Sequence, residues 1–157
     1  GAEFDIKPFG IRAMDSMRLE KSYRLIPREM SIEYSAFESG LDRFVRLDKE
    51  EDFIGKTSLS QWQDRGPTNG FVTMEVLGII DADARGSEAI YKDGEVIGRG
   101  TSGGYGWRCG KSLALGLVRL DLAAIGTELE IEILGEKYKA IVIEESPFDP
   151  TNECLRS

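Results

Sequence analysis

Six residues, Gly98-Arg99-Gly100-Thr101-Ser102-Gly103, satisfy G-x-G-x-x-G, the spacing that lets a backbone approach a pyrophosphate. That chemistry needs a helix to begin at the third glycine, so that its N-terminus holds the anion. Gly104-Tyr105-Gly106-Trp107 follows instead, which starts no stable helix, and the run reads as a structural glycine loop between strands. Gly110-Lys111-Ser112 has the ending of a phosphate-binding loop, but Tyr105 stands where its first glycine must fall. Asp48, Glu50, Glu51 and Asp52 surround Lys49 in a polar run that reads as a solvated loop rather than a calcium site. Glu128, Glu130 and Glu132 alternate with Leu129, Ile131 and Ile133, the wet face of a half-buried strand. Glu144 and Glu145 have no obvious partner acid.

The chain contains no histidine. That removes Ser-His-Asp and Cys-His catalysis, histidine-ligated zinc or haem, and a histidine pH switch. Cys109 and Cys154 form no C-x-x-C pair and read as small packing residues with nothing to activate a thiolate. No catalytic residue and no metal ligand set emerges from composition and spacing. A net charge of −8 repels phosphate backbones, so neither nucleic acid nor an anionic membrane is the expected partner. With 41% hydrophobic and 31% charged residues, the 157-residue chain is globular and long enough to bury a core. It holds neither an apolar run of membrane-spanning length nor a signal-peptide pattern, and its sparse cysteines fit a reducing, cytoplasmic setting. Gly1-Ala2-Glu3-Phe4 has no initiator Met and reads as a cloning scar, so the chain is expected to be a piece of a longer protein.

Two regimes meet at Gly66-Pro67: mainly helix and loop before it, strands and turns after it. Phe9 to Lys21 is the first predicted helix, with Ile11, Met14 and Met17 on one apolar stripe and Arg18 at its edge. Arg18 has Asp15 one turn back as a partner, and Glu20 and Arg24 are spaced as a surface pair. Leu41 to Leu47 is read as a strand. A second helix is expected from Lys56 to Asp64, capped by Thr57 or Ser58 and ended by Gly66 and Pro67. Beyond lie a strand around Val72 to Leu77 and a hairpin over Ala89 to Ile97 turning on Asp93-Gly94. A strand over Leu113 to Val118 precedes a last hairpin, 128–142, in which Lys137 and Lys139 answer the glutamates. Short strands with tight turns predict a small antiparallel barrel or sandwich.

Four blocks read as strings carry further information. RAMDSMRLEKSYRL, AFESGLDRFVRLDKEEDFIGKTSL, IYKDGEVIGRGTSGGYGWRCGKSLALGLV and ESPFDP, in this order, resemble the folate-dependent aminomethyltransferase (glycine-cleavage T-protein) family. Together they cover nearly all of residues 9–152. GLDRFVRLDK, DFIGK, TSGGYG and the Phe-Asp-Pro ending are closer to the C-terminal region of dimethylglycine and sarcosine dehydrogenases than to the T-protein.

The resemblance implies an α+β chain: the end of a folate-binding α/β lobe over residues 5–66, then a small jelly-roll-like antiparallel β-barrel over 68–157. It implies tetrahydrofolate as cofactor, with FAD elsewhere in a parent of the dehydrogenase branch. The folate accepts a one-carbon unit from a small N-methylated amine resembling dimethylglycine or sarcosine. The family's catalytic acid lies upstream of these residues, so the chain alone is expected to be inactive without its N-terminal half or a partner subunit. Arg18 and Arg43 are the folate-binding residues carried over. Met14 stands where relatives place an arginine that helps hold folate, Arg43 where they place an aromatic residue, and Glu153 where a tyrosine is frequent. A non-catalytic folate-binding or scaffold module, or part of a tetrahydrofolate-dependent O- or S-demethylase, are the alternative readings.

Overall fold

Alternation of apolar and polar side chains from Val72 onward dictates half-buried strands, and the computed structural model, which describes all 157 residues, closes them into a barrel. The strands are β1 (Asn69–Val76), β2 (Ala89–Lys92), β3 (Glu95–Gly106), β4 (Lys111–Arg119), β5 (Glu128–Ile133) and β6 (Glu136–Ile143). They run antiparallel in the order β1-β4-β3-β2-β5-β6, and β6 returns to pair with β1, so no sheet edge is left free. Met74, Ile90, Ala114, Val118, Ile131 and Ala140, none with any exposed surface, fill the interior.

The turn chemistry explains the hairpins. Asp93 (φ 51°) and Gly94 (φ 84°) turn β2 into β3, and Leu134 (φ 54°) and Gly135 (φ 84°) turn β5 into β6. Positive φ at both central residues matches the twist of the flanking strands. Register places Glu130 opposite Lys139 and Glu132 opposite Lys137. Glu132 takes its hydrogen bond from the Tyr91 hydroxyl (2.8 Å) rather than from Lys137, whose ammonium sits 3.6 Å above the Tyr91 ring.

The glycine run 98–106 is not a loop. It lies within β3, with a bulge between Gly100 and Ser102. The expectation failed because these glycines serve close approach rather than a turn. A Cβ at Gly103 would stand 2.7 Å from the Ala84 Cβ and 2.8 Å from its carbonyl oxygen, so only glycine lets the Ala84 segment lie against the sheet.

Helix α1 (Ile11–Glu20) lies across the outside of β3 and β4. Its apolar stripe is not the buried face: Ile11, Met14 and Met17 are exposed, and the helix buries Leu19 and Glu20 instead. Leu19 packs with Leu113 and Leu115 in a second cluster, flanked by Phe71 and Ile143. The predicted strand over Leu41 to Leu47 is absent. Asp42–Phe44 forms a single 3-10 turn closed by the Val45 amide on the Asp42 carbonyl (2.8 Å), with Phe44 exposed and no neighbouring strand to pair with. Helix α2 (Lys56–Arg65) has Gly55 (φ 91°) as its N-cap, not Thr57 or Ser58, and ends at Gly66 (φ 76°). A last short helix, α3, spans Glu153–Arg156. No helix is long and apolar enough to cross a membrane.

Glu38, 2% exposed, ties residues 35–40 to the start of the barrel. One oxygen accepts from the Ser35 amide and hydroxyl, the other from Thr68 Oγ1 (3.0 Å) and the Asn69 amide and side chain. Burial pushes this carboxyl up, but the combined donation of Ser35, Asn69 and Thr68 outweighs burial and leaves it below the ordinary 4.5. A folded-state value below the unfolded one stabilises the fold above the unfolded value and ceases to do so as pH falls through the folded one. Melting temperatures of the wild type and Glu38→Gln should therefore differ most near about pH 6 and converge toward about pH 3. A gap independent of pH would show that Glu38 contributes no charge-dependent stability.

Candidate functional site

Arg18 occupies the last turn of α1, with its side chain only 11% exposed. Its Nε donates to Asp15 Oδ1 at 2.7 Å, Nη1 to the Tyr23 carbonyl (3.1 Å) and Glu29 Oε2 (3.4 Å), and Nη2 to Ser102 Oγ at 2.7 Å. Four of its five N–H bonds are thus engaged inside the fold, leaving one. Glu29 has no exposed surface. Its Oε2 also accepts from the Leu25 amide (2.8 Å), while Oε1 accepts from the hydroxyls of Thr101 and Ser102, both at 2.6 Å. Consecutive strand residues ordinarily point to opposite faces; the bulge between Gly100 and Ser102 aims both hydroxyls at one oxygen. No buried side-chain nitrogen or oxygen lacks a partner, so this seam between α1, the loop after it and β3 is closed.

A cavity of about 430 Å³ opens on the outer side of the seam. Arg18 and Asp15 form one wall, Ile11, Met14 and Leu25 supply apolar surface, and Arg12, Arg28, Arg85 and Gly103 complete it. Arg43 does not line it. That residue sits exposed on the 3-10 turn, its guanidinium 4.8 Å above the Phe44 ring, so Arg18 and Arg43 do not share this cavity.

The Glu20–Arg24 surface pair does not form. Glu20 is 3% exposed and accepts the Arg108 amide (2.5 Å) and the Cys109 amide (3.2 Å) at the turn from β3 to β4. Arg24 turns away to Glu145 and lies 3.8 Å over the Phe71 ring. Burial, with the Glu20 carboxylate beside it, pushes the Cys109 thiol up, which keeps it protonated and unreactive at neutral pH. Cys154 is no packing residue: it is exposed on α3. Asp48, Glu50, Glu51 and Asp52 are exposed, as a solvated run should be.

Sequence reasoning missed Glu29, Glu38, Thr101 and Ser102. The Ser35-x-x-Glu38 spacing, a capping box in which Glu38 accepts from the Ser35 amide and Ser35 Oγ from the Glu38 amide (3.2 Å), was a readable signal for Glu38. Nothing local marks Glu29, because its partners lie 72 and 73 residues away.

Residues 70–149 match the family of the glycine cleavage T-protein C-terminal barrel domain, and residues 1–49 match the GCVT N-terminal domain. The chain is 40% identical to human mitochondrial dimethylglycine dehydrogenase over 158 residues, covering 99% of the chain and 18% of that protein. It is 34% identical to an aminomethyltransferase of Geobacillus kaustophilus over 145 residues, covering 91% of the chain and 39% of that protein. The chain thus spans well under half the length of these relatives. Among solved structures, the glycine cleavage system aminomethyltransferase T of Bartonella henselae superposes with a TM-score of 0.81 at 24% identity, over 90% of this chain and 39% of that one. A closed six-stranded antiparallel barrel preceded by α1, and a family match over just the residues that build that barrel, lead to one assignment: the chain belongs to the glycine cleavage T-protein family.

Proposed function

We propose that the chain is the C-terminal part of a tetrahydrofolate-dependent aminomethyltransferase module, which passes a one-carbon unit from a small N-methylated amine to tetrahydrofolate. Identity of 40% to a dimethylglycine dehydrogenase along 99% of the chain carries this reading. The two family matches, in order over 1–49 and 70–149, support residues 5–66 as the end of the folate-binding lobe and 68–157 as the barrel that closes it. The exposed face of α1 supports it physically. Ile11 is 75% exposed, Met14 49% and Met17 52%, and Trp107 beside them is 80% exposed. Such a contiguous apolar strip marks an interaction surface, here one suited to the remaining polypeptide of the module or a partner subunit.

Arg43 is the residue of this chain proposed to stack on the pterin. A guanidinium over an aromatic face contributes about 0.5–2 kcal/mol, so Arg43→Ala should weaken tetrahydrofolate binding about two- to thirty-fold. Arg43→Trp should restore it, because a ring offers the same stacking surface. Calorimetric titration of tetrahydrofolate into the full-length parent and both variants decides the matter. Equal affinities for all three remove Arg43 from the site. Arg18 is proposed to hold folate through the one N–H its internal bonds leave, so its main contribution is to fix α1 beside the cavity.

A further inference from the structure

β2 and β5 are joined by two rungs only, Ile90 opposite Ile131 and Tyr91 opposite Glu130, whereas all six residues of β5 pair with β6. The ladder stops where Lys92 would meet Leu129, and both residues line a cavity of about 470 Å³ in the barrel wall. Leu129 and Ala140 of the barrel core form part of its lining. Leu77, Tyr91 and Ile141 add apolar surface, and Lys92, Asp93, Glu128, Glu130 and Lys139 bring charge. We propose that this cavity seats a zwitterionic α-amino acid with an apolar side chain. It shares no residue with the cavity beside Arg18, and α1 packs against β3 and β4, so the inference does not rest on the folate reading.

Two ammonium groups and three carboxylates line this one opening, and none of the five forms an ion pair. Glu130 and Lys139 stand directly opposite each other in register, where a cross-strand pair ordinarily forms. Lys92 donates to the Glu128 backbone carbonyl (3.0 Å) and not to a carboxylate. Opposite charges held apart at one opening are both free to bind, and a ligand carrying both signs answers them together. The ammonium and carboxylate of an α-amino acid sit on one carbon. That separation suits groups on directly opposed strand residues, whose Cα atoms lie about 4.5–5.5 Å apart. Lys139 then donates to the ligand's carboxylate, and the ligand's ammonium donates to Glu130. Two positive groups against three negative ones disfavour an anion such as phosphate. Leu77, Tyr91 and Ile141 favour a hydrocarbon side chain over a polar one.

L-leucine, titrated into the isotope-labelled chain and followed by amide chemical shifts, tests this site. Isocaproate, which lacks the ammonium, and isoamylamine, which lacks the carboxylate, are titrated beside it. The expected result is saturable binding of L-leucine with a Kd below about 10 mM, its shifts centred on Tyr91, Lys92, Leu129 and Lys139. Affinity should fall about tenfold or more in Lys139→Gln and in Glu130→Gln, and stay unchanged in Arg156→Gln on α3. Each probe bearing a single charge should bind about tenfold or more weakly than L-leucine. Unfolding midpoints equal to that of the wild type establish that the variants fold. No saturable binding of L-leucine below about 10 mM, or shifts centred elsewhere, overturns the site. Binding indifferent to Lys139→Gln or to Glu130→Gln, or isocaproate or isoamylamine binding as tightly as L-leucine, overturns it equally.

Discussion

Replacing Glu29 by alanine is expected to cost about 3–5 kcal/mol of folding stability, the range for removing one partner of a buried ion pair. The carboxylate has no exposed surface and accepts from Arg18, the Leu25 amide, Thr101 and Ser102. Its loss strands the Ser102 hydroxyl and the Leu25 amide, while Thr101 keeps the Leu115 carbonyl and Arg18 keeps Asp15. Arg18→Met in the same background should recover none of the loss, because Arg18 still pairs with Asp15 when Glu29 is gone. Urea unfolding followed by circular dichroism measures both. A loss under about 1 kcal/mol for Glu29→Ala would mean that the seam does not hold α1 and its loop to the barrel.

Leu19→Ala should cost about 2–5 kcal/mol, as for other fully buried leucines. Leu19 is 1% exposed and is the one α1 residue in the cluster with Leu113 and Leu115. Because that cluster lies outside the barrel core, the variant tests whether α1 and barrel unfold together. Trp107, at the end of β3, and far-ultraviolet ellipticity should report one coincident transition at a lower denaturant midpoint. Two separated transitions would show that α1 detaches before the barrel melts.

The barrel was legible because its strands obey local rules. Alternation in 128–143 and the Asp93-Gly94 pair specified strands and turns without reference to distant residues. The glycine run of β3 was misread because its reason is tertiary: Gly103 is glycine for the sake of Ala84, nineteen residues earlier in the chain. The α1 stripe was legible as a helix signal but silent about direction, since periodicity reveals an apolar face and not what covers it. Glu20 was misread for the same reason. Its spacing to Arg24 is that of a surface pair, yet its partners are amides of the turn from β3 to β4. Of the candidate site, Arg18 and its Asp15 partner were readable at a spacing of three, whereas Glu29, Ser102 and the other arginines of the cavity meet only when the chain folds.

Formation of methylene-tetrahydrofolate tests the proposed role most directly. It should be measured on the chain alone, and on the chain joined to the preceding residues of a relative such as human dimethylglycine dehydrogenase, with dimethylglycine as the one-carbon donor. The chain has no histidine and forms no cluster of residues able to hold a metal, and burial pushes the Cys109 thiol up, away from the reactive thiolate, so alone it should stay at the no-enzyme rate. The joined protein should turn over well above that background. Turnover by the chain alone, or a folded joined protein that forms no methylene-tetrahydrofolate, would contradict the role proposed here.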